Sequence, residues 1–190
     1  MLLMKTFIKS FLLLLFASAF LVACENCGST NISEPTPEDA EWLVYGTGDT
    51  ATFTDNTNDT VYYVRTGIYA QSLPGEGFSV EDECIEQINT QVTNVIEDAA
   101  GAQPILGTLI LNKPDSLIVK IGVGQETWQL DPNGITETKV LGDSTYTDVY
   151  VVEGSSTEPE NVRTLFFNRR YGFLFIEFQN GNKLNLIRLQ

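Results

Sequence analysis

From residue 42 to the C-terminus, short apolar runs alternate with clusters of turn-forming residues, and few folds accommodate this pattern. The runs are rich in Val, Ile, Thr, Tyr and Phe, while the clusters between them contain Gly, Asn, Asp and Pro. β-Branched and aromatic side chains pack well on a pleated surface, and the cluster residues readily adopt the backbone angles of tight turns. The pattern therefore predicts an all-β domain of antiparallel hairpins that form a curved sheet or a small barrel.

Individual strands can be placed between the turns. The loop 55–59 and the turn 112–115 each join two strands, since proline and Asp or Asn residues preset turn geometry. A further turn is expected at Asp131-Pro132-Asn133-Gly134. Strands are predicted at residues 50–54, 60–70, 108–111, 116–123, 128–130, 147–152 and 162–167.

The C-terminal hairpin is the clearest local prediction. Asn180-Gly181 is the preferred pair for a two-residue type I′ turn. Residues 173–178 are apolar on both faces, so this strand is expected to be covered on both sides. The turn would place Phe178 opposite Lys183, Phe175 opposite Leu186 and Phe173 opposite Arg188.

Residues 80–99 fit two interpretations. Their apolar positions follow helical spacing, and Ser79 with Asp82 resembles a helix-capping box. Against a helix stands the β-branched, Asn-rich composition of residues 88–96, in which apolar and polar residues alternate. We favour a strand, because the neighbouring segments are strands, and leave a short helix near 80–99 as the alternative.

The N-terminus has the three parts of a secretory signal. Lys5 and Lys9 precede an apolar run, and small and apolar residues then lead to Cys24. Leu21-Val22-Ala23-Cys24 resembles the lipobox of bacterial lipoproteins. The resemblance implies that the Cys24 thiol is lipidated and that the chain is cleaved just before it. The alternative is an ordinary secretory signal with a cysteine at this position by chance.

These features divide the chain into three parts. Residues 1–23 are expected to be a cleaved signal peptide, residues 24–41 a polar, flexible tether, and residues 42–190 one β domain. The protein is expected in the cell envelope, anchored by lipid to the outer membrane. The sequence leaves open whether it faces the periplasm or the cell surface.

The chain carries a formal net charge of −14. Lys5 and Lys9 are the only charged residues of the leader, so its removal makes the remaining chain still more negative. Such a charge repels nucleic acid and anionic lipid headgroups, so no nucleic-acid partner is expected. Membrane attachment is expected to depend on acyl chains. No cofactor is expected, and the oligomeric state stays open.

Cys27 and Cys84 are the two cysteines besides Cys24. In an oxidising compartment, a disulfide between them would join the start of the tether to the domain. The alternative is an exposed Cys27 in a flexible tail and a buried, inert Cys84. Because an acylated Cys24 can neither shuttle electrons nor bind zinc, the Cys-x-x-Cys spacing of Cys24 and Cys27 carries no redox function.

The sequence contains no histidine. This excludes Ser-His-Asp and Cys-His catalytic arrangements and imidazole metal sites, and no phosphate-binding glycine loop or nucleophile elbow is present. No catalytic residue is assigned. Paired carboxylates could still hydrolyse glycosides. Glu177 is the acid to examine, since it lies within an apolar strand. Its simpler interpretation is a charge partner for an arginine such as Arg163, Arg169 or Arg170.

Several acidic loops resemble calcium-binding or modification motifs in part. The loop that begins at Asp55 fails the EF-hand pattern because Thr60 replaces its glycine and Thr66 its bidentate glutamate, so no metal ligand is assigned. A weaker site formed by Asp49, Asp55, Asn58 and Asp59 stays as an alternative. Four triplets resemble the O-glycosylation motif of Bacteroidota secretory proteins, at residues 49–51, 59–61, 115–117 and 143–145.

The segment 166–181 resembles the terminal hairpins of uncharacterised lipoproteins of Bacteroidota, which implies a secreted all-β lipoprotein. Because the sequence lacks these catalytic motifs, we expect a non-enzymatic binding or structural module with a protein or small-molecule partner. One alternative is a β-barrel carrier of a small apolar ligand. The other is a carbohydrate-active enzyme with paired carboxylates. The carrier would line its cavity with aromatic residues: Trp42, Trp128, Tyr62, Tyr63, Tyr69, Phe166, Phe167, Phe173 and Phe175.

Overall fold

The computed structural model describes residues 27–190. The predicted signal peptide and Cys24 lie outside the described residues. The described chain forms one short helix and twelve strands. In chain order they are β1 (Asn31–Ser33), α1 (Pro37–Ala40), β2 (Thr50–Thr54), β3 (Thr60–Pro74), β4 (Gln87–Asp98), β5 (Leu106–Lys113), β6 (Ser116–Val123), β7 (Glu126–Leu130), β8 (Glu137–Leu141), β9 (Ser144–Glu153), β10 (Val162–Asn168), β11 (Gly172–Phe178) and β12 (Lys183–Leu189).

The strands form one sheet in the order β7-β6-β5-β4-β3-β2-β12-β11-β10-β9-β8, and β1 pairs in parallel with β4. The sheet curls into a half-barrel, which confirms the predicted all-β fold. Glu126 of β7 accepts a hydrogen bond from the backbone N–H of Val162 at 2.6 Å, and this bond ties β7 to the start of β10. No helix within residues 27–190 is long and apolar enough to span a membrane.

The inner face of the sheet holds one apolar core. Successive side chains of a strand point to opposite faces, and β5 alternates between buried and half-buried residues along its length. Ile110 and Ile121 from one half of the sheet belong to the same buried cluster as Leu165 and Ile176 from the other half. Because both halves share this core, neither half can bury its apolar face without the other.

Residues 87–98 form β4, so the strand interpretation of this segment is confirmed and the helix is wrong. β4 pairs with β3 on one side and with β5 on the other. The residues that resembled a helix cap close a turn ahead of the strand. The carboxylate of Asp82 accepts a hydrogen bond from the N–H of Ser79, and the N–H of Asp82 donates to the Ser79 carbonyl.

The C-terminal hairpin forms, but the predicted register is wrong by one residue. Phe175 lies opposite Asn185 and Glu177 lies opposite Lys183. A type I′ turn requires a positive φ at both central residues. Gly181 has a φ of +85°, whereas Asn180 does not lie in the positive-φ region.

Contacts with the loop 154–161 favour a three-residue turn at residues 179–181. The N–H of Phe178 donates to the Asn182 carbonyl at 2.9 Å and closes the turn, whose last residue is the left-handed Gly181. The loop 154–161 then binds the first two turn residues. The Gln179 and Asn180 N–H groups donate to the carbonyls of residues 161 and 159. Tertiary contacts therefore outweigh the local preference of Asn-Gly.

The segment expected to be a flexible tether is attached to the domain in its described part, residues 27–41. β1 pairs with the start of β4, and a disulfide joins Cys27 to Cys84. α1 begins with a capping box between Thr36 and Asp39. Ordered structure thus begins well before Trp42, because polar residues can pair with a strand edge through their backbone without contributing apolar side chains.

Tyr45 connects the two halves of the sheet across the interior. Its side chain is fully buried, and its carbonyl accepts a hydrogen bond from Asn94 of β4 at 2.7 Å. Its hydroxyl accepts a hydrogen bond from the N–H of Phe173 of β11 at 2.9 Å. Gly172 allows this approach, because a Cβ atom there would lie 2.2 Å from the Tyr45 hydroxyl oxygen.

Candidate functional site

One concave site of the described residues is an open groove of about 720 Å³, which we call the mouth groove. It lies between the segment after α1, the loop after β7, and the strands β9 and β10. Its lining mixes apolar, polar and charged side chains from four separate parts of the chain. These are residues 41–44, residues 132–134 with Thr136, Asp148 with Tyr150, and residues 168–170.

Arg169 forms a fixed cationic wall of this groove. Its guanidinium lies 5.3 Å from the centre of the Trp42 ring and 3.1 Å from the Glu41 carboxylate, and it donates to the Glu38 carbonyl. Trp42 is itself buried and stacks in parallel with Phe167 at 6.4 Å. The exposed ion pair with Glu41 contributes little stability, under about 1 kcal/mol. The Trp42 ring and the Glu38 carbonyl contact the same guanidinium, so three groups together define the position of Arg169 in the groove wall.

Asn168 shapes the backbone beneath the groove. Its side-chain oxygen accepts hydrogen bonds from the N–H groups of Arg170 and Tyr171. Its side-chain nitrogen donates to the carbonyls of Thr147 and Asp148, at 2.7 and 3.2 Å. Asp148 has a φ of 57°, a left-handed conformation that costs energy for a residue other than glycine. The amide of Asn168 therefore stabilises both sides of the groove floor.

The rim of the groove includes an exposed cationic group and a loop held by a tyrosine. Arg170 is exposed, and its guanidinium lies 5.3 Å from the centre of the Tyr171 ring. The Tyr150 hydroxyl donates to the Pro132 carbonyl at 3.1 Å. Burial raises the pKa of Tyr150, so this hydroxyl stays protonated and continues to hold the loop.

A smaller polar groove lies on the other side of α1, between Asp39 and Asn112. The Asn112 amide donates to the Asp39 carboxylate at 2.8 Å. Partial burial pulls the pKa of Asp39 upward, but hydrogen bonds from Thr36 and Asn112 and the charge of Arg169 outweigh it, so the pKa is lowered. Asp39 therefore stays ionised and serves as an acceptor that holds α1 against β5.

The structure joins Cys27 and Cys84 in a disulfide, with 5.3 Å between their Cα atoms. Glu177 is an ion-pair partner on the sheet surface. Its carboxylate lies 3.2 Å from the Lys183 ammonium and 3.9 Å from the Arg163 guanidinium. Of the three arginines proposed as charge partners of Glu177, Arg163 pairs with it, whereas Arg169 lines the mouth groove.

The residues of the weaker calcium hypothesis do not converge. Asp49 accepts a hydrogen bond from the N–H of Gly46, whereas Asp55 and Asp59 lie at the tip of the β2–β3 hairpin. Hydrogen bonding from Thr57 lowers the pKa of Asp55. Within residues 27–190, no group of three or more Asp, Glu or Cys residues could hold a metal ion. The four triplet hydroxyls each begin a strand, at Thr50, Thr60, Ser116 and Ser144.

The aromatic residues considered for a ligand cavity divide between core and surface. Tyr63, Phe167 and Phe173 are fully buried, and Phe167 packs edge-to-face on Phe173 at 5.4 Å. Tyr62 and Tyr69 are exposed. In contrast, sequence reasoning missed Tyr45, Asn168 and Arg169 as structural centres. The turn formed by residues 168–172 is the local signal for Asn168 and Arg169.

Comparison of the chain with protein-family models, with curated proteins and with solved structures gives no match. Function is therefore inferred from the residues and their geometry.

Proposed function

We propose that this protein is a lipoprotein of the cell envelope, anchored at the outer membrane through Cys24, whose β domain is a non-enzymatic binding module. The lipobox resemblance of residues 21–24 supports the anchor. The mouth groove supports the binding module, and the observation that carries it is the fixed position of Arg169 in the groove wall. A site whose charged group is already held loses little conformational freedom when a partner binds.

The chemistry of the groove suits an extended polar segment of a partner protein. Arg170 and Asn133 are exposed donors at its rim, while Glu41 and Asp148 are exposed acceptors. Leu43 and Val44 add half-buried apolar surface between these groups. Peptide groups, together with side chains of either charge, can pair with such a lining.

No specific observation favours the two alternatives. Phe167 and Phe173, which an apolar ligand would need, pack against each other. Glu177, the acid considered for glycoside hydrolysis, lies between two cationic side chains. We therefore retain the binding module as the single proposal.

Metabolic labelling with palmitate tests the anchor. Wild-type protein is expected to incorporate label, and Cys24→Ser is expected to lose it entirely. Cys27→Ser is the matched control, because it removes a cysteine three positions away and should retain the label. Label in the Cys24→Ser protein, or none in the wild type, would contradict the proposal.

Photo-crosslinking in intact cells tests the groove. A photoreactive phenylalanine analogue at Asn133, on the groove rim, is expected to give a discrete protein adduct. The same analogue at Asn180, in the C-terminal turn, is the control and should give none. Arg170→Glu is expected to reduce the Asn133 adduct at least threefold. Equal adducts from both positions, or no adduct from Asn133, would argue against a binding groove.

A further inference from the structure

We infer that the end of the domain at the Cys27–Cys84 disulfide lies against the surface of the bilayer that holds the Cys24 lipid. The inference deepens the proposed function and rests on lipidation of Cys24. Cys27 lies three positions after Cys24, and a fully extended chain covers at most about 3.6 Å per position, or roughly 11 Å. The first fixed point of the domain therefore lies within about 11 Å of the lipid-bearing residue.

Several bonds hold the residues from Cys27 onward against the domain. They keep the link between Cys24 and the domain short. The disulfide binds Cys27 covalently to Cys84. The Thr30 hydroxyl donates to the Ile85 carbonyl at 2.9 Å, and the Asn31 N–H donates to the Glu86 carbonyl at 2.8 Å. The parallel pairing of β1 with β4 follows directly. The segment expected to be a flexible tether therefore holds the domain close to the lipid-bearing residue.

The sheet topology shows which strands and turns lie at the disulfide end of the domain. β3 ends and β4 begins there, on either side of the loop 75–86. The β5–β6 turn lies at the same end, since Asn112 is opposite Thr90 near the start of β4. Asn112 bonds to Asp39 of α1, and the Glu38 carbonyl accepts from Arg169 in the β10–β11 turn.

The opposite end of the sheet consists of other turns. Asn56, in the β2–β3 hairpin, donates to the Gly181 carbonyl of the C-terminal turn at 3.0 Å. The loop 154–161 lies at the same end, because its Pro159 carbonyl accepts a hydrogen bond from the N–H of Asn180. This far end points away from the anchor.

The surface chemistry of the loop 75–86 suits a zwitterionic phospholipid surface. Val80 is 78% exposed and Ile32 is 52% exposed, so apolar side chains are available to the interface. The same loop carries five acidic residues, Glu76, Glu81, Asp82, Glu83 and Glu86. Anionic headgroups would repel these carboxylates. The mouth groove lies at the same end, since it includes Arg169 and the residues after α1, so its partner must be accessible at the membrane surface.

Energy transfer from tryptophan to a dansyl-labelled headgroup tests this placement. Full-length lipidated protein is reconstituted in phosphatidylcholine vesicles as Val80→Trp, or as Glu160→Trp on the far loop. The wild type, with Trp42 and Trp128, supplies the background. Transfer from position 80 is expected to exceed transfer from position 160 at least threefold, and added phosphatidylglycerol is expected to reduce it.

An insertion of twenty Gly and Ser residues between Glu25 and Asn26 is the control. It adds a flexible reach of roughly 25 Å, so transfer from position 80 should fall to that from position 160. Equal transfer from the two positions without the insertion, in protein whose mass includes the acyl chains, would overturn the inference and leave the lipoprotein proposal standing. A mass without acyl chains would overturn both.

Discussion

Two buried tyrosine hydroxyls show how single residues stabilise this fold. Tyr45 accepts a hydrogen bond from the N–H of Phe173, and Tyr63 donates to the Pro104 carbonyl at 2.8 Å. Burial raises the pKa of both tyrosines above their usual value, and the charge of Asp98 adds to the effect at Tyr63. Both hydroxyls therefore stay protonated in the fold at pH values where an exposed tyrosine ionises.

The raised tyrosine pKa values predict a loss of stability in alkali. Above about pH 10 the unfolded chain releases tyrosine protons that the folded chain retains, so the free energy of unfolding falls as pH rises. Tyr63→Phe is expected to cost about 1 kcal/mol at pH 7, through the lost hydrogen bond. It should also flatten the decline between pH 10 and 12.

Urea unfolding at pH 7, 10 and 11.5 measures both effects. Tyr62→Phe is the matched control, because the Tyr62 side chain is exposed and its substitution should leave the stability at pH 7 unchanged. Identical slopes for Tyr63→Phe and the wild type would show that Tyr63 does not control the alkaline transition.

The contacts of the mouth groove could not be predicted from the sequence. Arg169 contacts Glu38, which lies 131 positions earlier in the chain. The sequence around Arg169 predicts a turn. It contains nothing that favours Glu38 over Glu177 as the partner of Arg169. Glu177 is instead matched by Lys183, which lies opposite it across the hairpin. Side-chain partners of this kind follow from the sheet order, which local sequence does not encode.

At the scale of elements, sequence alternation predicts where strands lie better than how they pair. The β2–β3 hairpin turns at residues 55–59, as predicted, and the β5–β6 hairpin turns at residues 114–115, within the predicted turn 112–115. The C-terminal register differs by one residue because the loop 154–161 binds the turn through its own carbonyls. A hairpin turn is therefore predictable when the sequence around it is the only influence, and less so when another loop donates or accepts bonds.

The turn geometry predicts the effect of changing Gly181. Its φ of +85° is unfavourable for any residue with a Cβ atom, although no other atom lies within 4 Å of a Cβ built there. Gly181→Ala is expected to lower the free energy of unfolding by about 1–2 kcal/mol through backbone strain alone. Gly28→Ala is the control, since Gly28 has equal space and no positive φ. Thermal or urea unfolding distinguishes the two, and equal stability of both variants would contradict the strained turn.

The disulfide predicts a large stability difference between oxidised and reduced protein. It closes a loop with a sequence separation of 57, and the chain-entropy estimate for such a loop is about 4 kcal/mol. Replacing both Cys27 and Cys84 with serine is expected to lower the free energy of unfolding by roughly 2–4 kcal/mol. The oxidised wild type is compared with this variant, with and without a reductant. A reductant should affect the wild type only, and equal unfolding midpoints would show that the bond does not constrain the unfolded chain.

At the scale of the whole molecule, the sheet order joins the two ends of the domain. β12 pairs with β2, and Thr50 and Gln190 exchange backbone hydrogen bonds at 2.8 and 3.0 Å. The apolar pattern predicts an all-β fold, but it cannot specify that the last strand returns beside the second. This pairing, together with Tyr45, turns two sets of hairpins into one half-barrel.

The net charge of −14 predicts that salt stabilises the whole molecule. Carboxylates repel one another more strongly in the compact state than in the expanded chain, and salt screens this repulsion. The melting temperature is expected to rise by a few degrees between 10 and 300 mM NaCl. Potassium chloride should raise the melting temperature as much as sodium chloride does. This control distinguishes screening from binding of a specific ion. A melting temperature that falls with salt would show that attractive ion pairs dominate.

The Cys27–Cys84 pairing also bears on how the chain matures. If Cys24 is lipidated as proposed, two thiols remain, and two thiols can join in one way. Under that proposal, oxidation within one chain produces no mispaired isomers. A chain that crosses a membrane N-terminus first exposes Cys27 well before Cys84, 57 positions later. An oxidase that acts once Cys84 has emerged would close the bond around β3 before the C-terminal strands are available to pair.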